Sequence, residues 1–403
     1  MSKNEFYRCR LERYIPWGSS TCSKRANLIP EEPSVVVRGK GCRIWDADGR
    51  EFIDFRNALG PISLGYCYEE VNAAIRAQLE EGIIFSYPHP LEAELAELLC
   101  EIVPCAEQSR FLKTGGEAIA ACIKVARAKS GRNQVIQIGY NGWLNSLAGE
   151  GVSLPNHRNS SLPPGVPAVL SALHHDCPWN DPEALESLGR GCGDDLAAVV
   201  VAVDYHRMEE GDTFYPLLRK FADQHGAALI FDEIVSGFRI ALAGVQEYFA
   251  VKPDMAVFAK GLANGMPLAA YCGLRQWMEA LDTAIVSSTY GGEALSLAAA
   301  KAVIRIYRSE PVIEHLWKMS ELMWSNVNRM LSAKGLPLQL SSTRPVAFLR
   351  VENNAALAQR QDFLRACFRE GVSLYNGGYI NYSHREADIY EALERIDKAL
   401  QSI

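Results

Sequence analysis

Between about residue 111 and residue 273, short apolar runs recur with helical stretches between them. Residues 135–138 (Val-Ile-Gln-Ile), 199–203 (Val-Val-Val-Ala-Val) and 228–231 (Ala-Leu-Ile-Phe) show little polar alternation. A strand that is apolar on both sides needs cover on both sides, and helices linking parallel strands provide it. The pattern predicts an α/β chain with a mostly parallel sheet. Residues 34–55 differ and read as a small antiparallel meander. Its strands are Val35-Val36-Val37, Cys42-Arg43-Ile44-Trp45 and Phe52-Ile53-Asp54-Phe55. Turns fall at Gly39-Lys40-Gly41 and Asp46-Ala47-Asp48-Gly49. Helical periodicity marks 69–79, 91–103 and 217–225, and helices dominate after Ala294. An Asn376-Gly377-Gly378 turn precedes an amphipathic helix at 385–402. Residues 155–178 are rich in Pro, Ser, Asn and His and read as a surface excursion. Its His174-His175 doublet is expected to face solvent rather than a metal.

Two of the apolar runs end in a charge. Ala228-Leu229-Ile230-Phe231 leads into Asp232, and Val257-Phe258-Ala259 leads into Lys260, 28 residues further on. Ligands of open α/β sheets bind at the C-terminal ends of the strands. An amine and a carboxylate aimed at one crevice suit pyridoxal phosphate. The lysine forms a Schiff base with its aldehyde, and the aspartate keeps the ring nitrogen protonated.

Three weaker signals accompany the pair. Thr114-Gly115-Gly116-Glu117 opens a helical run at 118–128, and glycines there leave N–H groups free for a phosphate. Glycine pairs at helix starts are also common without any ligand, and Glu117 reads first as a carboxylate complementing the helix dipole. Tyr140 follows the 135–138 strand, where its ring can stack on a flat cofactor or simply half-bury itself in a loop. Ser288-Thr289-Tyr290-Gly291-Gly292 precedes the Ala294 helix, as a second phosphate contact or as a plain cap.

Composition narrows the alternatives. The chain of 403 residues is 48% hydrophobic and 22% charged, with room for two or three domains. A net charge of −7 argues against a nucleic-acid or anionic-membrane partner. The longest apolar run, residues 196–203, is far too short to span a bilayer. Eleven scattered cysteines without a CxxC read as buried, reduced thiols of a cytoplasmic protein rather than disulfides or a metal site. The first residues lack a charged-then-apolar signal pattern.

In this order, and with these residues, the chain resembles the class III aminotransferases of pyridoxal-phosphate fold type I. Within that class it is most similar to the glutamate-semialdehyde aminomutase branch. The matching motifs are Thr114-Gly115-Gly116-Glu117-Ala118, Tyr140-Asn141-Gly142-Trp143, Phe231-Asp232-Glu233-Ile234-Val235-Ser236-Gly237-Phe238-Arg239 and Ala259-Lys260-Gly261-Leu262-Ala263-Asn264-Gly265. The resemblance implies a large domain at 56–300 with a mostly parallel, seven-stranded type of sheet. A smaller α+β domain is implied from 1–55 and 301–403. Lys260 is implied as Schiff-base lysine and proton carrier, and Asp232 as partner of the pyridinium nitrogen. Ile234 and Tyr140 would pack on the two ring faces. Gly115 and Gly116 would hold the phosphate, with Thr289 reaching in from the neighbouring subunit of a homodimer. Trp17, Thr21 and Lys24 would line the substrate side.

The chain departs from the family pattern at four places. Gly116 stands for a Thr and Asn141 for a His. Gly292-Glu293-Ala294 stands for Gly-Asn-Pro, and Ala202-Val203 for Glu-Pro. None alters Lys260 or Asp232. The expected reaction moves an amino group from a small-molecule amine donor to a keto or aldehyde acceptor, with pyridoxamine phosphate as the aminated form of the cofactor. Candidate substrate contacts are Lys24, Arg25, Arg56 and Arg239 for anions, each of which also reads as a surface or structural charge, with Asn141 at the pocket and His89 there or simply in a turn. An intramolecular aminomutase, a decarboxylase or racemase, and a catalytically altered cofactor-binding homologue remain as alternatives.

Overall fold

The computed structural model describes residues 1–25, 29–144, 165–351 and 354–403. The chain divides into two compact units, Met1–Glu69 with Pro311–Ile403 and Glu70–Glu310.

In the first unit, strands β1 (Val36–Lys40), β2 (Arg43–Asp46) and β3 (Glu51–Asp54) form the expected meander. β1 runs on through Gly39 and Lys40, which the sequence placed in a turn; the reversal falls one step later. Gly39 keeps its place there because a Cβ would meet the Tyr66 ring at 2.6 Å. Arg43 on β2 pairs with Glu51, and with Asp388 and Glu391 on the terminal helix Glu386–Gln401.

The second unit carries a seven-stranded sheet. Its strands are β4 (Gln108–Leu112), β5 (Gln134–Ile138), β6 (His174–Asp176), β7 (Leu196–Ala202), β8 (Ala228–Asp232), β9 (Met255–Phe258) and β10 (Ala269–Gly273), in spatial order β4-β10-β9-β8-β7-β5-β6. β10 runs antiparallel to both its neighbours, and the remaining pairs are parallel. Every residue of β7, β8 and β9 is buried, as strands covered on both faces must be. The helix Gly115–Ser130 lies on one face. Ile119, Cys122, Val125 and Ala126 join Val135, Val200, Ile230 and Val257 in one apolar cluster. Burying each of the valines and isoleucines among them stabilises the fold by about 1.5–3 kcal/mol. The helix Gly211–His225 buries Phe214, Tyr215, Leu218 and Phe221. Its start precedes the expected 217, because burial of Phe214 and Tyr215 carries it through Pro216.

Two expectations are corrected. His174 and His175 are not a solvent-facing doublet; they belong to the edge strand β6, paired with Val135 and Ile136. Residues 155–164 of the expected excursion lie outside the described residues. The Asn376-Gly377-Gly378 turn is also replaced. After strands β11 (Gln339–Leu340), β12 (Val346–Arg350) and β13 (Val372–Ser373), Gly377 and Gly378 begin β14 (Gly377–Tyr379), which pairs with β12. Gly377, at φ 130°, has no room for a side chain against Ala347 O.

Among the described residues no helix is long and apolar enough to cross a membrane. No group of three His, Cys, Asp or Glu side chains among them could hold a metal ion. The described cysteines are free thiols, seven of them buried.

Candidate active site

Parallel pairing sets the first two groups. β8 and β9 lie side by side, with Asp232 opposite Val257. Asp232 ends β8 and is buried, and its Oδ1 accepts a hydrogen bond from Ile234 N at 3.0 Å. Burial raises its pKa, against the opposing pull of the Ile234 N–H and the Lys260 charge. Lys260 stands two residues past the end of β9, at the start of the 3-10 turn Lys260–Ala263. Its φ of 41° lies in the left-handed region, an uncommon and strained setting for a lysine. Burial lowers its pKa and the Arg239 charge adds to this, while Asp232 opposes both. A lysine so placed is more readily the free-amine nucleophile than an exposed one.

The chain beyond β8 is held by a buried carboxylate. Glu233 donates its backbone N–H to Val257 O. Its carboxylate accepts from Ser236 Oγ, from Val245 N at 2.8 Å and from Gln246 N at 3.0 Å. Burial pushes its pKa up to about 7. Arg239, named from sequence as an anion contact, is fully buried and donates to Val235 O at 3.2 Å, so it is part of the scaffold of this turn. Sequence reasoning passed over Glu233, although its place beside Asp232 in a motif was visible.

The glycine turn stands across from Ile234. Thr114 caps the helix Gly115–Ser130, and Thr114 N donates to Glu117 Oε2 at 2.8 Å, closing a capping box. Gly115 abuts Ile234: a Cβ there would overlap the Ile234 side chain. Gly142, at φ 90°, packs tightly on the turn from the other chain segment, since its Cβ would lie 3.1 Å from Gly116 Cα. A cradle of bare backbone results, at a helix N-terminus whose first N–H groups have no intrahelical acceptor. Gly116 itself has room, its Cβ meeting nothing nearer than Leu144 at 3.8 Å. Tyr140 follows β5 with 60% of its surface exposed. Asn141 is buried, and its Nδ2 donates to Gly139 O at 3.1 Å.

Lys260, Asp232, Ile234, Gly115, Gly116, Tyr140 and Asn141 thus all belong to the strand ends and adjoining turns of one sheet. Thr289 is exposed on the 288–292 turn. His89 is a helix cap: its Nδ1 accepts from Leu91 N at 3.2 Å and its ring stacks on Phe85. Trp17, Thr21 and Lys24 belong to the first unit. Trp17 (φ 63°) sits in the turn Pro16–Gly18, and Lys24 ends the turn Cys22–Lys24. Arg25 is exposed. Arg56, also in that unit, is paired with Glu32 at 3.2 Å.

Fold and site together define an α/β enzyme whose sheet presents an amine, a carboxylate and a turn of bare backbone at a helix N-terminus. A family model described as aminotransferase class-III matches residues 27–400. The chain belongs to the class-III aminotransferase family. It is 29% identical to glutamate-1-semialdehyde 2,1-aminomutase of Aquifex aeolicus (strain VF5), over 100% of both chains. It is 28% identical to 3-aminobutyryl-CoA aminotransferase of Cloacimonas acidaminovorans (strain Evry), over 97% of this chain and 95% of that one. The PLP form of the FumI protein of Sphingopyxis sp. MTA144 superposes with a TM-score of 0.89 at 26% identity, covering 99% of this chain and 96% of the other. The fold is fold type I, and the enzyme is pyridoxal-phosphate-dependent.

Proposed function

We propose that this protein transfers an amino group from a small-molecule amine to a keto or aldehyde acceptor, with Lys260 and Asp232 as its two chemical groups. The observation that carries the proposal is the pair itself: a half-buried lysine of lowered pKa just past the end of one strand and a buried aspartate at the end of the strand beside it.

The residues present fit the cofactor. Glycines at 115 and 142, where a Cβ would fill the space, leave the cradle that a phosphate needs. When bound, pyridoxal phosphate supplies an aldehyde that couples to amines and a ring that accepts electrons from the substrate carbon. Lys260 Nζ would hold that aldehyde and, once freed by the donor amine, would accept and return a proton as general base and acid. The carboxylate of Asp232 would keep the ring nitrogen protonated. Gly115 and Gly116 would bind the phosphate through their N–H groups. Ile234 and Tyr140 would pack on the ring, with Asn141 fixing the turn that carries Tyr140. Trp17, Thr21, Lys24 and His89 remain substrate-side proposals.

A homodimer in which Thr289 completes the partner's phosphate site belongs to the same reading. Apolar side chains left exposed near that turn support it. Ile83, Ile84, Phe85, Tyr87 and Tyr290 are all open, and Ala294 N donates to Ile83 O at 2.8 Å, joining the two segments. A cytoplasmic location accords with the free thiols.

A screen of amine donors tests the reaction: donors should bleach the visible absorbance of the bound cofactor, and a keto acid should restore it. Unchanged spectra with every donor would sink it. Similarity to an aminomutase over the whole chain favours one second reading, an intramolecular amine shift. That reaction turns over without any added keto acid.

A further inference from the structure

We propose that the ion pair of Lys113 and Glu293 is a latch that joins the chain's two phosphate-side turns and sets its affinity for the cofactor without entering the chemistry. The proposal rests on the cofactor reading above.

Lys113 is the single residue between strand β4 and the cap Thr114. Glu293 is the single residue between Gly292 and the helix Ala294–Ser309. Lys113 Nζ lies 3.0 Å from Glu293 Oε2, and the two side chains are only 16% and 12% exposed. Each partner is anchored a second time. Lys113 N donates to Glu117 Oε2, the carboxylate that also receives Thr114 N and Thr114 Oγ1. Glu293 accepts from Leu295 N at 2.7 Å, Ser296 N at 3.2 Å and Ser296 Oγ at 2.5 Å. The 288–292 turn is pressed onto the same strand, since a Cβ at Gly291 would lie 2.7 Å from Phe111 O. One largely buried charge pair therefore ties the 114–116 turn to the 288–292 turn.

Two physical consequences follow. Glu293 fills the N-terminus of its own helix with a carboxylate, so that terminus needs no external anion. The Lys113 charge is neutralised locally, which leaves the N–H groups of residues 115 and 116 as the anion donors of their turn. Removing the Glu293 carboxylate leaves the Lys113 ammonium as a largely buried charge without its counter-ion. Removing Lys113 leaves Glu293 to its helix-cap donors alone. Either single change therefore unties the two turns, whereas removing both leaves no stranded ammonium.

The test is a titration of each apo-protein with pyridoxal phosphate, followed by quenching of intrinsic fluorescence. Wild type is compared with Lys113→Met, Glu293→Gln and the double variant. Each single variant should bind the cofactor about tenfold more weakly, a loss of about 1.4 kcal/mol. The double variant should recover part of that affinity. At saturating cofactor, turnover should stay within about twofold of wild type. Unchanged cofactor affinity in both single variants overturns the latch. So does a single-variant loss of turnover that saturating cofactor fails to restore. So does additivity in the double variant, which would mean two independent structural roles. If wild type itself fails to bind pyridoxal phosphate, the cofactor reading fails and not the latch alone.

Discussion

The side chain of Ile234 occupies the space where a Cβ on Gly115 would stand. Ile234 N also donates to Asp232 Oδ1 at 3.0 Å. One residue therefore holds the carboxylate at the end of β8 and forms a wall of the glycine turn. Gly115→Ala should force Ile234 or the helix start to move, costing about 1–3 kcal/mol. Gly116→Ala should cost little of this, because its Cβ would meet only Leu144 at 3.8 Å. Thermal unfolding of the two apo-variants checks the contrast. Adding Ile234→Ala to Gly115→Ala should recover most of the loss.

Glu233 is a second structural carboxylate beside the chemical one. Glu233→Ala would leave Ser236 Oγ, Val245 N and Gln246 N without their acceptor. An unsatisfied buried donor costs about 1–3 kcal/mol. Denaturant unfolding should show the Ala variant losing several kcal/mol. Glu233→Gln should lose less, since its amide oxygen keeps part of the acceptor set.

How much of this was legible in the sequence follows from the kind of force involved. Burial on both faces left an unalternated apolar pattern, so β5, β7 and β8 could be read directly. Asp232 and Lys260 stood out because a charge at the end of such a run has little structural use. His174 and His175 misled, since two polar residues in a Pro- and Ser-rich stretch look solvated. Only the ladder to Val135 and Ile136 reveals an edge strand. Gly377 and Gly378 misled likewise, because a glycine pair reads as a turn. Their reason is a close approach to Ala347 and to Phe55 and Trp324, which no local pattern contains. The Lys113–Glu293 pair was invisible because its partners are 180 residues apart.

His174 gives a pH prediction. Its Nε2 faces Arg127 Nη2 at 3.1 Å. Arginine only donates, so Nε2 must be the unprotonated nitrogen and Nδ1–H donates to Gln137 Oε1. Burial, then the Arg127 charge, bring the His174 pKa down to about 4. The unfolded chain thus binds more protons than the folded one below pH ~6.5, and stability falls as pH drops from there to about 4. Asp232 and Glu233 act with the opposite sign, so the informative quantity is a difference. Across that window the melting temperature of His174→Gln should fall less steeply than that of wild type. Parallel slopes would remove His174 as a contributor.

Asp232→Asn keeps the shape of the site but removes the charge that would hold the ring nitrogen protonated. The variant should still bind pyridoxal phosphate, and its turnover should fall at least about 100-fold, or roughly 2.7 kcal/mol in the barrier. Steady-state kinetics at saturating cofactor measure this.

The most direct measurement of the central claim is the visible absorbance of the protein after addition of pyridoxal phosphate and removal of the excess. Wild type should keep a visible band that amine donors bleach. Lys260→Ala should keep no lysine-linked band and show no turnover, while its apo-form melts within a few degrees of wild type. A colourless wild-type protein, or a Lys260→Ala variant whose absorbance and turnover match wild type, would contradict the assignment of Lys260.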